Sequence, residues 1–244
     1  MLQRMTPEDY SRFWEHESSQ FQSNKIYDQL SQIVPAEATL EVGCGAGWST
    51  VNLATCRPVL AVDNNPHLID LARARLKSHG VNAEIIQSDL FEPSAELLAA
   101  IKAFQPKVIV GWFIGSHPDD NDRRTPANLR IDQKPKVYRE NVEDRLVVEP
   151  LCLPSVEWIH TVQRGAVPAG VTEVQIKEGM VKGYDEYMFK NSGFAVIDVK
   201  VLDWNQGASQ FPYVQNPNPN LPSGNAKPAI ISVLARRIQS DAPR

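Results

Sequence analysis

Apolar and polar positions alternate in blocks along the first half of this chain. Ala38–Val42 is a short apolar run that ends in glycines, and Pro58–Asp63, Glu84–Asp89 and Lys107–Phe113 repeat the pattern. Each predicts a strand, and the nearly unbroken apolar character of the first, second and fourth suits the centre of a parallel sheet. Helical spacing fills the intervals. Trp48–Cys56 reads as a helix. Asn65 followed by Pro66 is a cap and a first turn for Leu68, Leu71, Ala72 and Leu76, with Gly80 as the stop. Ser94 caps a helix that carries Leu97, Leu98, Ile101 and Phe104. Ahead of all these, residues 6–33 predict a helical lead-in anchored by Phe13, Phe21, Ile26, Leu30 and Ile33.

After Phe113 the regular pattern breaks. Residues 115–135 are polar and hold Pro118, Pro126 and Pro135, which predicts a long loop. Tyr138, Val142 and Leu146 then keep helical spacing. Val156–Val162 predicts a fifth strand, Gly183–Ser192 a short helix ended by Gly193, and Phe194–Leu202 a sixth strand. Residues 205–228 are rich in Asn, Pro, Gly and Gln and should be irregular; Ala229–Ala235 is a last strand. Strands alternating with helices predict an α/β fold: a doubly wound, mostly parallel, seven-stranded sheet with helices on both faces. The last two strands lack a helix between them, so the C-terminal strand should be antiparallel. One domain is expected over residues 1–244, with residues 1–35 as a helical lid, 115–150 as an insertion and 205–228 as the irregular loop.

The chemistry concentrates where the first strand meets its glycines, in Glu41-Val42-Gly43-Cys44-Gly45-Ala46-Gly47-Trp48. Such a turn lets a ligand approach the main chain, and the following helix aims free N–H groups at it. A dinucleotide fingerprint needs its third glycine where Trp48 stands, and a tryptophan there obstructs close strand–helix packing. Asp63 ends the second strand, 22 residues after Glu41, and a carboxylate there can accept both hydroxyls of a ribose. This acid alone suits either cofactor class. Asp89, at the end of the third strand, is the second acid.

The pattern Glu41-x-Gly43-x-Gly45-x-Gly47, with Asp63 and Asp89 at successive strand ends, resembles class I (Rossmann-like) S-adenosylmethionine-dependent methyltransferases over residues 36–113. The resemblance implies S-adenosylmethionine as cofactor and methyl transfer as the activity. It implies that Asp89 receives the adenine amino group while the Leu90 N–H reaches a ring nitrogen. The cofactor-binding set is then Glu41, Gly43, Cys44, Gly45, Gly47, Asp63, Asn64, Asp89, Leu90 and Trp112. Tyr10 and Trp14 from the N-terminal helix, and Trp204 and Tyr213 from the loop after the sixth strand, are expected to border the substrate pocket.

His117 is the candidate base, since its unperturbed pKa of about 6.5 keeps a neutral form available. Asp119 and Asp120 stand close enough in sequence to orient it; a plain surface histidine is the competing reading, and His160 is read as a packed core residue. The acidic run Asp119–Asp122 lacks spaced partners and is read as a solvated turn, so no metal is expected. The place after the fourth strand reads Gly111-Trp112-Phe113-Ile114, without the Asn/Asp-Pro-Pro motif of amino-methylating enzymes, and no Pro-Cys pair occurs. A small-molecule acceptor fits best. A protein or tRNA acceptor, favoured by Arg123, Arg124, Arg130, Lys134, Lys136 and Arg139, and a non-catalytic binding module stay open.

Composition adds limits. The 244 residues carry a net charge of −4, which gives no general phosphate-tracking surface, and DNA is not expected. Cys44, Cys56 and Cys152 form no C-x-x-C pair. A polar N-terminus and the lack of an eighteen-residue apolar run make a cytoplasmic protein, without a membrane partner, the expectation.

Overall fold

A computed structural model describes residues 5–211 and 226–238. The chain enters through two helices, α1 (Pro7–Ser23) and α2 (Ile26–Ile33), that split the predicted lead-in. Thr6 and Asp9 form a capping box at the start of α1, and the break falls at Lys25, whose φ of 58° is left-handed. The alternating half follows: β1 (Thr39–Val42), α3 (Trp48–Ala54), β2 (Val59–Asp63), α4 (Pro66–His79), β3 (Glu84–Gln87), α5 (Ala95–Phe104) and β4 (Val108–Trp112). The caps read from sequence are in place, with the Asn65 side chain accepting from the His67 N–H at 3.0 Å and Ser94 from Leu97 at 3.2 Å.

The second half departs further from its pattern. Residues 118–124 form a helix, α6 (Pro118–Arg124), inside the segment predicted as loop. Its buried positions, Asp120 and Asn121, are polar, so no apolar period announces it; acids in its first turn and arginines in its last suit the helix dipole. α7 (Lys134–Arg145) and β5 (Trp158–Val167) follow. α8 (Glu173–Tyr187) starts ten residues before the predicted helix, at a Thr172–Gln175 capping box, and no residue in it is fully buried. β6 (Phe194–Asp203), a single 3₁₀ turn at Gln206–Ala208 and β7 (Lys227–Arg237) complete the order.

All seven strands form one sheet in the order β3-β2-β1-β4-β5-β7-β6. β1 through β5 are mutually parallel, and β7 runs antiparallel to both β5 and β6. The predicted antiparallel C-terminal strand is there, set between the two strands that precede it. Side chains separate by strand alternation. Leu40, Val42, Leu60, Val62 and Ile109 join the core shared with α5 and α7; Val59, Ala61, Val108, Val110 and Trp112 join the core shared with α1 to α4. Strand order reverses between β1 and β4, and ligands of open α/β sheets bind outside the carboxyl ends at such a point. No helix among the described residues is long and apolar enough to cross a membrane.

Candidate functional site

A cleft opens over the carboxyl ends of β1, β2, β3 and β4. Its floor is the glycine loop. Gly45 sits under the indole of Trp14, whose Nε1 would collide with any Cβ at that position. The Gly45 N–H donates to Asp63 Oδ2 at 2.9 Å, and the Asn65 N–H donates to Oδ1 at 2.9 Å. One carboxylate thus ties the loop to the end of β2. Two of its roughly four lone-pair sites remain for a ligand. Burial raises the Asp63 pKa, and the backbone donors oppose that rise.

Asp89 stands beyond β3. Its Oδ1 accepts from the Phe91 N–H at 2.8 Å, and its Oδ2 accepts from Arg124. Gly43, Asn64 and Leu90 line the same cleft, as do Tyr10 and Trp14 from α1. The wall also includes Phe113 and Ser116, from the run 111–117 after β4 expected at the ligand side, and Leu68, Ser88, Phe91, Tyr138 and Val142, which the sequence did not single out for the site. Tyr138 and Val142 are one turn apart and read as a core stripe; nothing in their spacing says that the stripe meets a cleft.

Other expected residues sit elsewhere. Cys44 is buried beside the loop, and Gly47 starts α3 against Ala72. Trp112 does not line the cleft. Alternation along β4 turns it into the core shared with α1 to α4, where it stacks with Tyr27 and donates from Nε1 to His160 Nδ1 at 2.8 Å. His160 also meets Ser232 Oγ at 2.7 Å, and burial holds its pKa at about 3. It is a neutral core residue.

His117 is the N-cap of α6 and does not line the cleft; the Asp120 carboxylate accepts from Tyr138 and Asn64. Trp204 packs against Phe21, near the far end of α1, and lines a second cleft there. Phe211 makes the return instead, with its ring 5.9 Å from Tyr10, 5.9 Å from Phe13 and 6.4 Å from Trp14. Tyr213 lies outside the described residues.

Glu41 lies beneath the loop, 1% exposed. Neither carboxylate oxygen has a partner in hydrogen-bonding geometry among the described residues. Burial pushes its pKa up to about 7; the hydroxyls of Ser49 and Thr50 oppose the rise without reversing it. A folded pKa above the ordinary value of 4.5 means that the native state holds its proton more tightly than the unfolded chain. Stability attached to this group is therefore greatest below pH 4.5 and falls as pH rises through 7. Glu41→Gln should raise the unfolding free energy at pH 8 by about 3 kcal/mol, at 1.36 kcal/mol per pKa unit, and change it little at pH 4. Urea titration of both proteins at the two pH values checks this; equal gains at both would refute the buried-acid assignment.

Residues 39–109 match a family model described as a methyltransferase domain. A comparison with curated protein sequences finds no match. Among solved structures, the N-methyltransferase NodS from Bradyrhizobium japonicum, in complex with S-adenosyl-L-homocysteine, is 12% identical. That alignment covers 88% of this chain and 86% of the other, with a TM-score of 0.50. The magnesium protoporphyrin IX methyltransferase from Synechocystis, with bound SAM, is 11% identical over 94% and 84%, with a TM-score of 0.47. TYW2 from M. jannaschii, in complex with AdoMet, is 12% identical over 88% and 76%, with a TM-score of 0.48. At 12% identity the likeness to the N-methyltransferase NodS is one of fold alone.

Proposed function

For a chain whose residues 39–109 match a methyltransferase-domain model and whose fold is Rossmann-like, we propose transfer of a methyl group from S-adenosylmethionine to a small-molecule acceptor. The observation that carries this reading is the meeting of Gly43, Gly45, Asp63 and Asp89 along one cleft at three neighbouring strand ends. The site's donors and acceptors fit the group. The glycine loop, with Glu41 buried beneath it, suits its amine end, the remaining lone pairs of Asp63 suit ribose hydroxyls, and Asp89 with the Leu90 N–H suits an adenine edge. The whole chain is read as one catalytic domain, with residues 1–35 as a lid whose Tyr10 and Trp14 exclude water.

When bound, S-adenosylmethionine supplies a methyl group on a sulfonium that departs as a neutral thioether. The protein's task is therefore positioning: Asp63, Asn64 and Asp89 hold the nucleoside end, and the loop holds the methionine end. The acceptor would enter beside β4, between Phe113, Ser116 and the N-terminal aromatics. His117 is not carried into this reading, because Ser116 and Tyr138 stand at the wall instead.

A small acceptor is favoured over RNA by the pairing of five of the six local cations; Arg123 is exposed and makes no ion pair among the described residues. Arg130 bonds Asp132 at 3.0 Å, Lys134 bonds Asp122 at 2.6 Å, and Arg124 is held by Asp89 and Glu92. Lys136 lies 3.6 Å from Glu140, and Arg139 lies 3.5 Å from Glu143. Locally neutralised charges project little field toward a phosphate backbone. A cytoplasmic setting suits the exposed, free thiol of Cys56.

Calorimetric titration with S-adenosylmethionine and S-adenosylhomocysteine should give dissociation constants of micromolar order, about −8 kcal/mol. A cofactor-consumption screen with small hydroxyl and amine acceptors should then show turnover. Absence of heat with both ligands, in protein shown to be folded, would sink the cofactor assignment. Binding without turnover on any acceptor would favour a non-catalytic module.

A further inference from the structure

Helix α6 leaves the end of β4, yet its side chains reach back across the cleft's rim to the ends of β2 and β3. Asp120 Oδ2 accepts from Asn64 Nδ2 at 3.1 Å. Arg124 donates through Nη2 to Asp89 Oδ2 and through Nη1 to Glu92 Oε1 at 3.1 Å. The two residues are four apart and share one helix face. Each is backed by a second contact. The Tyr138 hydroxyl donates to the same Asp120 oxygen at 2.8 Å, and the Arg124 guanidinium lies 4.9 Å from the Phe91 ring centroid. Asp120 is 2% exposed and the Arg124 side chain 14%, so solvent screens neither contact fully.

The residues they grip, Asn64 and Asp89, face the cleft where a nucleoside would lie. The free volume of that cleft is about 50 Å³, room for a few waters and less than a nucleoside fills.

We propose that Asp120 and Arg124 are cofactor-positioning residues that form a two-point clasp. α6 lifts to admit the nucleoside and re-engages Asn64 and Asp89 behind it. The inference rests on the cofactor reading above. Clasp and cofactor can coexist, because a carboxylate offers about four lone-pair sites and the Phe91 N–H and Arg124 use two of those on Asp89. A contact that must break for both entry and exit raises the barrier in both directions. It therefore governs the rate of exchange more than the affinity.

The test is stopped-flow binding of S-adenosylhomocysteine, followed by the fluorescence of Trp14 at the cleft wall. Arg124→Gln should speed association and dissociation together by about tenfold, the low end for loss of a charge-assisted hydrogen bond, while the dissociation constant moves much less. Arg124→Lys keeps the charge but loses the fork that spans Asp89 and Glu92, and should fall between the two. In the wild type, added salt should accelerate exchange; Arg124→Gln should have lost most of that sensitivity. The salt titration of unaltered protein keeps the proposal open to refutation if the glutamine variant fails to fold. Unchanged rates, or weaker binding with no gain in association rate, would overturn the clasp while leaving the cofactor reading intact. A wild type that binds no S-adenosylhomocysteine would overturn both.

Discussion

Replacing Asp63 by alanine should raise the dissociation constant for S-adenosylhomocysteine by about a hundredfold to ten-thousandfold. The range follows from two charge-assisted hydrogen bonds to a ribose, each contributing about 1.5–3 kcal/mol. The upper part is reachable because Asp63 has a second task. It ties the Gly45 N–H at 2.9 Å to the Asn65 N–H at 2.9 Å, so its loss also frees the loop that receives the ligand. Asp63→Asn tests the need for two charged oxygens at nearly constant size. A carboxamide has a single oxygen and cannot accept from Gly45 and Asn65 through two oxygens at once, so this variant should also bind weakly despite near-identical size. Calorimetry on the three proteins is the measurement. An alanine variant that binds like the wild type would show that the end of β2 does not hold the ribose.

Gly47→Ala should place a strongly destabilising methyl in the loop. The residue has φ of +83°, and a Cβ there would stand 2.7 Å from the Ala72 Cα and 2.8 Å from its Cβ. The left-handed backbone costs an alanine about 1–2 kcal/mol. Forcing α3 and α4 apart adds about 1–3 kcal/mol. The sum, about 2–5 kcal/mol, is a large share of the 5–15 kcal/mol that typically holds a domain folded. Thermal unfolding followed by circular dichroism should show a drop of several to about 20 °C, at 2–4 °C per kcal/mol for a chain of this size. Gly170→Ala is the control: φ is +80° there, but nothing lies within 4 Å of the added methyl. Equal losses in both variants would remove the steric part of the argument.

The parallel half of the sheet is legible because it is buried on both faces. Leu40, Val42, Val59–Val62 and Val108–Trp112 leave an almost unbroken apolar record, and side chains that bond the backbone mark the helix starts at Asn65 and Ser94. Elements that bury polar or sparse faces leave none. α6 turns Asp120 and Asn121 inward, and the first turns of α8 offer only Ile176 and Met180 to β6, so both escape a search for apolar period.

The same division runs through the site. Glycine loop, Asp63 and Asp89 come together because parallel strands deliver their ends to one edge, a consequence of topology that motif spacing carries. The direction of Trp112 follows from alternation along β4, and the motif does not encode it. That Arg124 grips Asp89 depends on the path α6 takes after leaving the sheet, which no local pattern specifies. Trp204 and Phe211 divide similarly. Both are aromatic, seven residues apart, and only the fold of the intervening turn decides which one meets Tyr10 and Trp14.

The insertion of β7 between β5 and β6 sets an order of events during synthesis. Among the described residues β6 has β7 as its sole sheet neighbour, and β5 is bordered by β4 and β7. While the ribosome is still making residues 227–237, β5 is an open edge and β6 has no backbone partner. A nascent chain therefore carries an exposed, extendable sheet border for the whole time taken to translate residues 168–237, and that border is the kind that recruits other strands. The α8 segment emerges within that interval, before β6 and against no completed surface. Chaperone dependence of this protein should thus concentrate in a short late window, after the cofactor half has become foldable and before the sheet is whole.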